Sequence, residues 1–217
     1  MQKAVQTNSS SQARAAARPS RAVRAIQTRQ QLLLSAATIV GQYGYDEASI
    51  QRITSDAGIA QGTFYLHFES RQALFDELLP HFGKQMLEHV KERVHGAAAF
   101  LEVEERGLRA VIEYLDAHPW FWRVLTEARF KAPQAWEDHH AVIRSRYRAF
   151  LRRAKRRGEL AAFASTEIDT LVSLLIAARD YLYSQTLAVA KRKPGAAESV
   201  IKTYMKFLRH GLASPAE

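Results

Sequence analysis

Cationic side chains are concentrated at the N-terminal end of this 217-residue sequence. The first 45 residues contain no acidic residue and six basic ones, namely Lys3, Arg14, Arg18, Arg21, Arg24 and Arg29. This stretch has a charge of +6, whereas the rest of the chain has a charge of +3. A basic arm ahead of a folded module is typical of proteins that bind nucleic acid through its phosphates. A solvated tail that only aids solubility has the same composition, so charge alone leaves both interpretations open.

Residue sets that carry out catalysis are not evident in the sequence. The chain has no cysteine, which excludes a thiol nucleophile, a zinc–thiolate site and a disulfide framework. His139 and His140 follow Asp138, but adjacent histidines on a helix diverge, and the spacing of a zinc-binding motif is missing. We therefore expect a protein that is not an enzyme and needs no metal or cofactor. A helical enzyme that uses histidines and carboxylates as acids and bases is the alternative.

Aromatic residues and one arginine in the C-terminal half are candidates for binding a small molecule. Trp120, Trp122 and Phe130 can line an apolar cavity, although each ring can equally fill the core. Arg179 lies in an apolar run, and a buried guanidinium needs either a carboxylate from another helix or an anionic group of a ligand. Tyr183, one helical turn later, can share that site.

A second group of cations lies between Arg144 and Arg157, where eight of fourteen residues are basic. The simplest interpretation is a solvated helix face. The alternative is a surface that grips the phosphates of an acyl-CoA or nucleotide ligand.

The spacing of apolar residues predicts an all-α fold, since no segment alternates with the period of a strand. Residues 1–23 lack this spacing and are predicted to be a disordered arm. The most apolar window contains Arg179 and Asp180 at its centre, so no membrane-spanning segment is expected. Caps, glycines and prolines bound the predicted helices, which run over Ile26–Val40, Ile50–Ala57, Ala60–Leu66, Ser70–Val94, Glu104–Ala117, Trp120–Phe130, Pro133–Arg157, Thr166–Lys191 and Gly195–Leu212.

Two of these helices are short and are joined by a tight turn. Ser49 can cap the first helix, and Gly58 can end it because glycine enters a left-handed turn without steric cost. This arrangement lets the second helix enter the major groove of DNA while the first braces it. Gly62 lies inside the second helix at a cost of about 1 kcal/mol relative to alanine. That cost indicates a close approach of the backbone, either to a partner or to another helix.

The sequence around these helices resembles the DNA-binding domain of TetR-type regulators from about Leu32 to Phe82. The resemblance is carried by Ser49-Ile50-Gln51-Arg52-Ile53, Ala57-Gly58-Ile59, Gly62-Thr63-Phe64-Tyr65, His67-Phe68 and Ser70-Arg71-Gln72-Ala73-Leu74. Two positions depart from the family pattern. Ala60 stands where the family often has a hydroxyl residue, and Thr54 stands where a small alanine is usual.

The resemblance implies that Gln61 and Thr63 read base edges, because glutamine pairs with adenine and a threonine methyl group contacts thymine. Phe64 and Phe68 are expected in the core. The motif itself holds four acids against two bases, so the arm is expected to contribute strongly to DNA affinity. With phosphate contacts included, the expected DNA-binding residues are Arg18, Arg21, Arg24, Ser49, Arg52, Gln61, Gly62, Thr63, Tyr65, His67 and Arg71.

The family resemblance also implies three segments: an arm over 1–23, a helix-turn-helix domain over 24–72, and a helical ligand-binding and dimerisation domain over 73–217. The ligand-binding residues expected are Trp120, Trp122, Phe130, Arg179 and Tyr183. The apolar stripes of the last two helices predict half of a four-helix bundle across a two-fold axis, although packing within one subunit is the alternative. The predicted interface residues are Leu171, Leu175, Ile201, Tyr204, Met205 and Leu208.

Together these features predict a cytoplasmic homodimeric repressor that binds a palindromic operator in double-stranded DNA. A small effector of apolar or acyl type is expected to release it by favouring a different separation of the two recognition helices. The alternatives are a DNA-binding protein that responds to no ligand or to a protein partner, and an activator of the same fold.

Overall fold

The computed structural model describes residues 20–190 and 196–211, and every regular element in this part of the chain is helical. The predicted all-α fold is therefore confirmed. Across the described ranges, no helix combines the length and apolarity needed to cross a bilayer. The elements are α1 (Arg21–Tyr43), α2 (Ile50–Asp56), α3 (Gln61–Phe64), α4 (Arg71–Val94), α5 (Phe100–Ala117), α6 (Phe121–Lys131), α7 (Pro133–Arg156), a 3-10 turn (Ser165–Glu167), α8 (Ile168–Ala190) and α9 (Ala196–Gly211).

The first helix begins inside the segment that was predicted to be an arm. The Ser20 hydroxyl accepts a hydrogen bond from the Val23 amide at 3.3 Å, and this cap starts α1 at Arg21. Arg21 and Arg24 are therefore exposed residues of a helix. Arg18 lies outside the described residues. The buried face of α1 begins only at Leu32, and Ile26, which was predicted to lie on it, is 59% exposed.

The helices α1 to α4 form the N-terminal helix-turn-helix unit around a small apolar core. Phe64 and Phe68 are buried in it, as predicted. Ser49 caps α2 through the Arg52 amide, and Gly58 adopts a φ of +63° at the turn. The buried Thr54 hydroxyl donates to the Ile50 carbonyl at 2.9 Å, so the residue that departs from the family pattern is accommodated without an unpaired polar atom.

The long helix α4 connects this unit to the C-terminal half, where it packs against α5, α6 and α7. The helices α8 and α9 complete that half, with α8 against α7 and α9 against both α5 and α8. The side chains between these helices are mainly leucine, isoleucine, valine and aromatic residues. One charged pair lies among them.

That pair is Arg179 on α8 and Glu104 on α5, which are 8% and 1% exposed. Arg179 Nη1 lies 3.5 Å from Glu104 Oε2 and donates to the Tyr147 hydroxyl on α7 at 2.6 Å, while Nε donates to the Tyr183 hydroxyl at 3.1 Å. The Tyr147 and Tyr204 hydroxyls donate to the two oxygens of Glu104 at 2.5 and 3.3 Å. Glu104 is thus the carboxylate from another helix that was one of the two expected partners of Arg179. The network joins α5, α7, α8 and α9.

Burial keeps the tyrosines of this network protonated. It raises the pKa of Tyr147 and Tyr204 well above the ordinary range for tyrosine, and the nearby Glu104 carboxylate acts in the same direction. Each hydroxyl therefore remains a donor to Glu104. The buried charges have the hydrogen bonds that make such a pair tolerable in an apolar core.

We expect Glu104→Gln to lower the free energy of unfolding by about 3 kcal/mol, because it leaves the Arg179 guanidinium buried without a counter-charge. The double variant Glu104→Met with Arg179→Met removes both charges and is expected to recover most of this loss. Urea denaturation followed by circular dichroism measures both values. A double variant that is as unstable as Glu104→Gln would contradict the assignment of the loss to the uncompensated charge.

A buried imidazole lies between α7 and α4. His139 is 7% exposed, and its Nε2 has no hydrogen-bond partner. A Cβ placed on Gly83 of α4 would lie 2.6 Å from His139 Nδ1, so glycine at this position makes room for the ring. Burial, assisted by the neighbouring His140, lowers the pKa of His139 from 6.5 to about 4.

Stability is therefore expected to fall with acidification between pH 6.5 and about 4, because the unfolded chain takes up a proton at a higher pH than the folded one. The shift corresponds to about 3 kcal/mol. His139→Gln, which cannot titrate, should flatten this part of the profile of unfolding free energy against pH. The exposed His95→Gln is the control and should leave the profile as in the parent protein. Equal slopes for the parent protein and His139→Gln would refute the prediction.

Candidate functional site

The short helix α3 presents its polar residues outward. Gln61 and Gly62 are exposed, Tyr65 just after the helix is 55% exposed, and Thr63 and His67 are half-buried. A Cβ built on Gly62 meets no atom within 4 Å, so the alternative that Gly62 allows a tight helix–helix contact is wrong for the described part of the chain. Open space beside this backbone leaves room for an external partner.

Leu66 belongs to the same surface and was missed in the sequence analysis. It is 81% exposed, more than any other large apolar side chain for which exposure is described. It lies between Tyr65 and His67, directly after α3. Phe64 and Phe68 are buried and lie four residues apart, on one face of this turn. Leu66 lies midway between them, and this spacing could have indicated that it faces outward.

The surface around α3 is less negative than the count of four acids and two bases in the motif suggested. Lys131 Nζ on α6 lies 2.5 Å from Asp46 Oδ1, so a residue far along the chain neutralises one of the four acids. Glu47 pairs with Arg52 at 3.1 Å. The Arg71 guanidinium donates to the Asp46 carbonyl at 3.2 Å. Arg52 and Arg71 are thus held at the surface by short local contacts.

The C-terminal half contains a cavity of about 550 Å³ between α4, α5, α6, α7 and α8. Trp122, Arg179 and Tyr183 line it, together with mainly apolar residues such as Met86, Leu115 and Ile176. In the described ranges, no group of three or more histidine or acidic side chains is arranged to hold a metal ion.

Two residues predicted to bind a ligand lie outside this cavity. Trp120 packs on Phe82, with ring centroids 4.5 Å apart, and its Cβ would collide with any side chain at Gly41 of α1. Phe130 is 78% exposed. Their assignment to the cavity is therefore wrong, because the aromatic stretch is helical and its rings point to different sides of α6 and of the turn before it.

The polar groups of the cavity differ between its two ends. Lys91, Arg146, Arg153 and Arg157 lie towards the C-terminal ends of α4 and α7. His140 and Asp180 lie near the other end of α7, beside Trp122 and Leu125. Burial raises the pKa of Asp180, although His140 and Arg179 oppose this shift.

The basic run on α7 is divided between the cavity and the solvated surface. Arg146, Arg153 and Arg157 reach the cavity. Arg144 and Arg148 form surface ion pairs with Glu137 and Asp169, as a solvated helix face does.

The helix α6 contacts both the cavity and the helix-turn-helix unit. Phe121, Trp122 and Leu125 line the cavity. On the outer side, Glu127 Oε2 accepts from the Tyr45 amide at 3.0 Å, and Arg123 Nη1 donates to the Gln42 carbonyl at 3.0 Å. The Tyr45 hydroxyl donates to the α6 carbonyl at Val124 at 3.3 Å. A displacement of α6 would therefore act directly on the end of α1 and on the residues that follow it.

The residues predicted to form a dimer interface are buried within one subunit. They are at most 7% exposed and pack into the core of the C-terminal half, so their assignment to an interface is wrong. Among the side chains of α8 and α9 whose exposure is described, the large apolar ones that are exposed are instead Leu174, Tyr181 and Phe207, at 61%, 67% and 61%. The most apolar stripe of each helix covers the subunit's own core, and a second stripe faces outward.

Comparison with known proteins agrees with this geometry. The family model described as bacterial regulatory proteins, tetR family, matches residues 32–78. The chain is 38% identical over 74 residues to the HTH-type transcriptional regulator YvdT of Bacillus subtilis, a match that covers 34% of this chain and 38% of that protein. The aligned part therefore spans less than two thirds of the length of that relative.

Solved structures share the fold over most of the chain. FadR of Bacillus subtilis in complex with stearoyl-CoA has a TM-score of 0.73, with 15% identity, over 87% of this chain and 99% of that one. A transcriptional regulator from Saccharomonospora viridis in complex with choline has a TM-score of 0.72, with 20% identity, over 87% and 99%. At such identities the similarity establishes the fold alone. Residues 32–78 are thus similar to bacterial regulatory proteins of the tetR family, and the fold of the chain is shared with solved transcriptional regulators.

Proposed function

We propose that the protein is a homodimeric DNA-binding repressor that leaves its operator when a small apolar or acyl-type molecule occupies the cavity. The observation that carries this proposal is the position of α6, which lines the cavity on one side and holds the helix-turn-helix unit on the other. The cavity itself favours a ligand-responsive regulator over one that responds to no ligand. FadR, which has the same fold, is named for a complex with stearoyl-CoA, and this supports a ligand of acyl type.

DNA binding is assigned to the outward face of α3 and its surroundings. Gln61 and Thr63 read base edges, and Leu66 adds an apolar contact of the kind that a thymine methyl group accepts. The open space at Gly62 lets the backbone approach the duplex. The phosphate contacts are assigned to Arg18, Arg21, Arg24, Ser49, Arg52, Tyr65, His67 and Arg71.

Dimerisation is assigned to the outer stripes of α8 and α9. Leu174, Tyr181 and Phe207 expose large apolar side chains on two packed helices, which favours a partner helix pair from a second copy. One recognition helix of four residues reads few base pairs, and a second one across a two-fold axis supplies the missing specificity.

Release is assigned to α6. A ligand shifts the population away from DNA only if it binds the released arrangement more tightly than the DNA-bound one. Contact of the ligand with Trp122 and Leu125 favours a displaced α6. The bonds from Arg123 to Gln42 and from Glu127 to Tyr45 then carry this displacement to the DNA-binding unit.

We expect Gly62→Ala to weaken DNA binding without destabilising the fold. The added methyl group meets no atom of the protein and removes a helical glycine, so the free energy of unfolding should rise by up to about 1 kcal/mol. Affinity for duplexes selected by the parent protein from a random pool should fall by about tenfold or more, because the methyl group blocks the approach to DNA. Fluorescence anisotropy with labelled duplex measures this loss.

The exposed Ser199→Ala on α9 is the control and should bind as the parent protein does. A selection that enriches no duplex, or a Gly62→Ala protein that binds with unchanged affinity, would contradict the proposed DNA-binding face.

We expect the double variant Leu174→Glu with Phe207→Glu to be monomeric, because it places carboxylates on the outer stripes of α8 and α9. Affinity for a palindromic duplex, which has one half-site for each recognition helix, should fall by about a hundredfold. The reason is that the two recognition helices are no longer linked. Native mass spectrometry reports the subunit number. Val142→Glu, which puts the same charge on an exposed apolar position of α7, should remain dimeric. A parent protein that is monomeric in this measurement would rule out the paired arrangement.

A further inference from the structure

We propose that the cavity takes an amphiphile with a single phosphate-bearing head, bound along α7 with its head at Arg153 and Arg157 and its chain end beside Trp122. This inference rests on the proposed function, because it names the class of the ligand and its direction in the same cavity. It is argued from the length of the cavity and from the charges that line it.

The cavity is long along α7. Its lining extends from His140 to Arg153 on this helix, and thirteen residues of α-helix correspond to about 20 Å. The wall between these ends is supplied largely by apolar residues of the neighbouring helices, among them Val90, Val111 and Ile176. An extended alkyl or acyl chain fits such a shape better than a compact ring system does.

One end of the cavity has an excess of positive charge. Lys91 and Arg146 share Glu88, at 2.8 and 3.7 Å, and Arg157 pairs with Glu159 at 2.5 Å. Arg153 makes no ion pair with a described residue. Four cations thus face two acids, and neither acid lines the cavity. Arginine forks bind phosphate oxygens in a bidentate manner, so this end is suited to a phosphate group.

The middle of the cavity is less suited to an anion. Arg179 lines it, but its Nε and Nη1 already engage Tyr183, Tyr147 and Glu104. Glu104 is 1% exposed and also accepts from two tyrosines. An anionic head at Arg179 would lie beside this buried carboxylate, which already compensates the guanidinium charge and would repel a second anion.

The other end of the cavity carries a carboxylate. Asp180 lines it beside His140 and makes no hydrogen bond or ion pair with a described residue. A second anionic group at this end would meet Asp180 in a partly desolvated site, where like charges repel strongly. Asp180 therefore sets the direction of the ligand and excludes chains that are anionic at both ends.

Isothermal titration calorimetry of the full-length protein without DNA tests this proposal, with probes kept below their micellar concentrations. Dodecyl phosphate is expected to bind at least about tenfold more tightly than dodecanol and than dodecane-1,12-diyl bisphosphate. Arg153→Gln with Arg157→Gln should remove the advantage of dodecyl phosphate over dodecanol. Asp180→Asn should restore binding of the bisphosphate. The control is Arg152→Gln with Arg156→Gln, which makes the same charge change on α7 outside the cavity.

Lauroyl-CoA distinguishes two sources of the phosphate group. Tighter binding of lauroyl-CoA than of dodecyl phosphate would assign an acyl thioester, and the reverse would assign a lipid phosphate; both results support the proposal. Binding of both no tighter than that of dodecanol would overturn it, as would unchanged binding by the Arg153 and Arg157 double variant. Thermal unfolding of each variant confirms that it is folded.

The outcome is separable from that of the proposed function. A protein that enriches a duplex but binds neither phosphate amphiphile would overturn only the ligand assignment. A protein that binds these amphiphiles but enriches no duplex would overturn only the regulator assignment.

Discussion

The buried guanidinium of Arg179 constrains the whole C-terminal half. Arg179 is 8% exposed, and its charge is compensated by protein groups, which come from Glu104 on α5, Tyr147 on α7 and, through Glu104, Tyr204 on α9. These contacts hold four helices in one arrangement, because a shift of any of them would leave a buried polar atom unpaired. This network forms part of the wall that faces α4 and α6. The cavity lies in the remaining space.

The helix α6 lies between the cavity wall formed by α5, α7 and α8 and the helix-turn-helix unit, and it contacts the two in different ways. The wall formed by α5, α7 and α8 is cross-linked by the network, whereas α6 meets the cavity through Phe121, Trp122 and Leu125, which make only apolar contacts there. Towards the helix-turn-helix unit, α6 instead uses hydrogen bonds and the ion pair of Lys131 with Asp46. The helix α6 thus connects the cavity to the helix-turn-helix unit without taking part in the network.

Local features were predictable from the sequence, and long-range pairings were not. The caps at Ser49 and Ser70, the turn at Gly58 and the buried Phe64 depend on neighbouring residues, and the structure has them where they were predicted. Asp46 and Lys131 are 85 positions apart, and Arg179 has its partner 75 positions earlier, so no local pattern revealed either pair. Leu171 and Ile201 show why the interface prediction failed: an apolar stripe indicates burial, but not whether the covering surface belongs to the same subunit.

The residues that line the cavity differ in how far they support the fold. Arg153 and Arg157 are exposed, and Asp180 makes no bond that holds helices together, so their replacement changes the charge of the cavity ends and leaves the packing intact. Glu104 and Arg179 are the opposite case, since they line the cavity and also support the fold. A change of ligand head group is therefore expected to arise through Arg153 and Arg157 at the C-terminal end of α7 and through Asp180 on α8, where it costs little stability. The network at the centre, which joins α5, α7, α8 and α9, is not altered by such replacements.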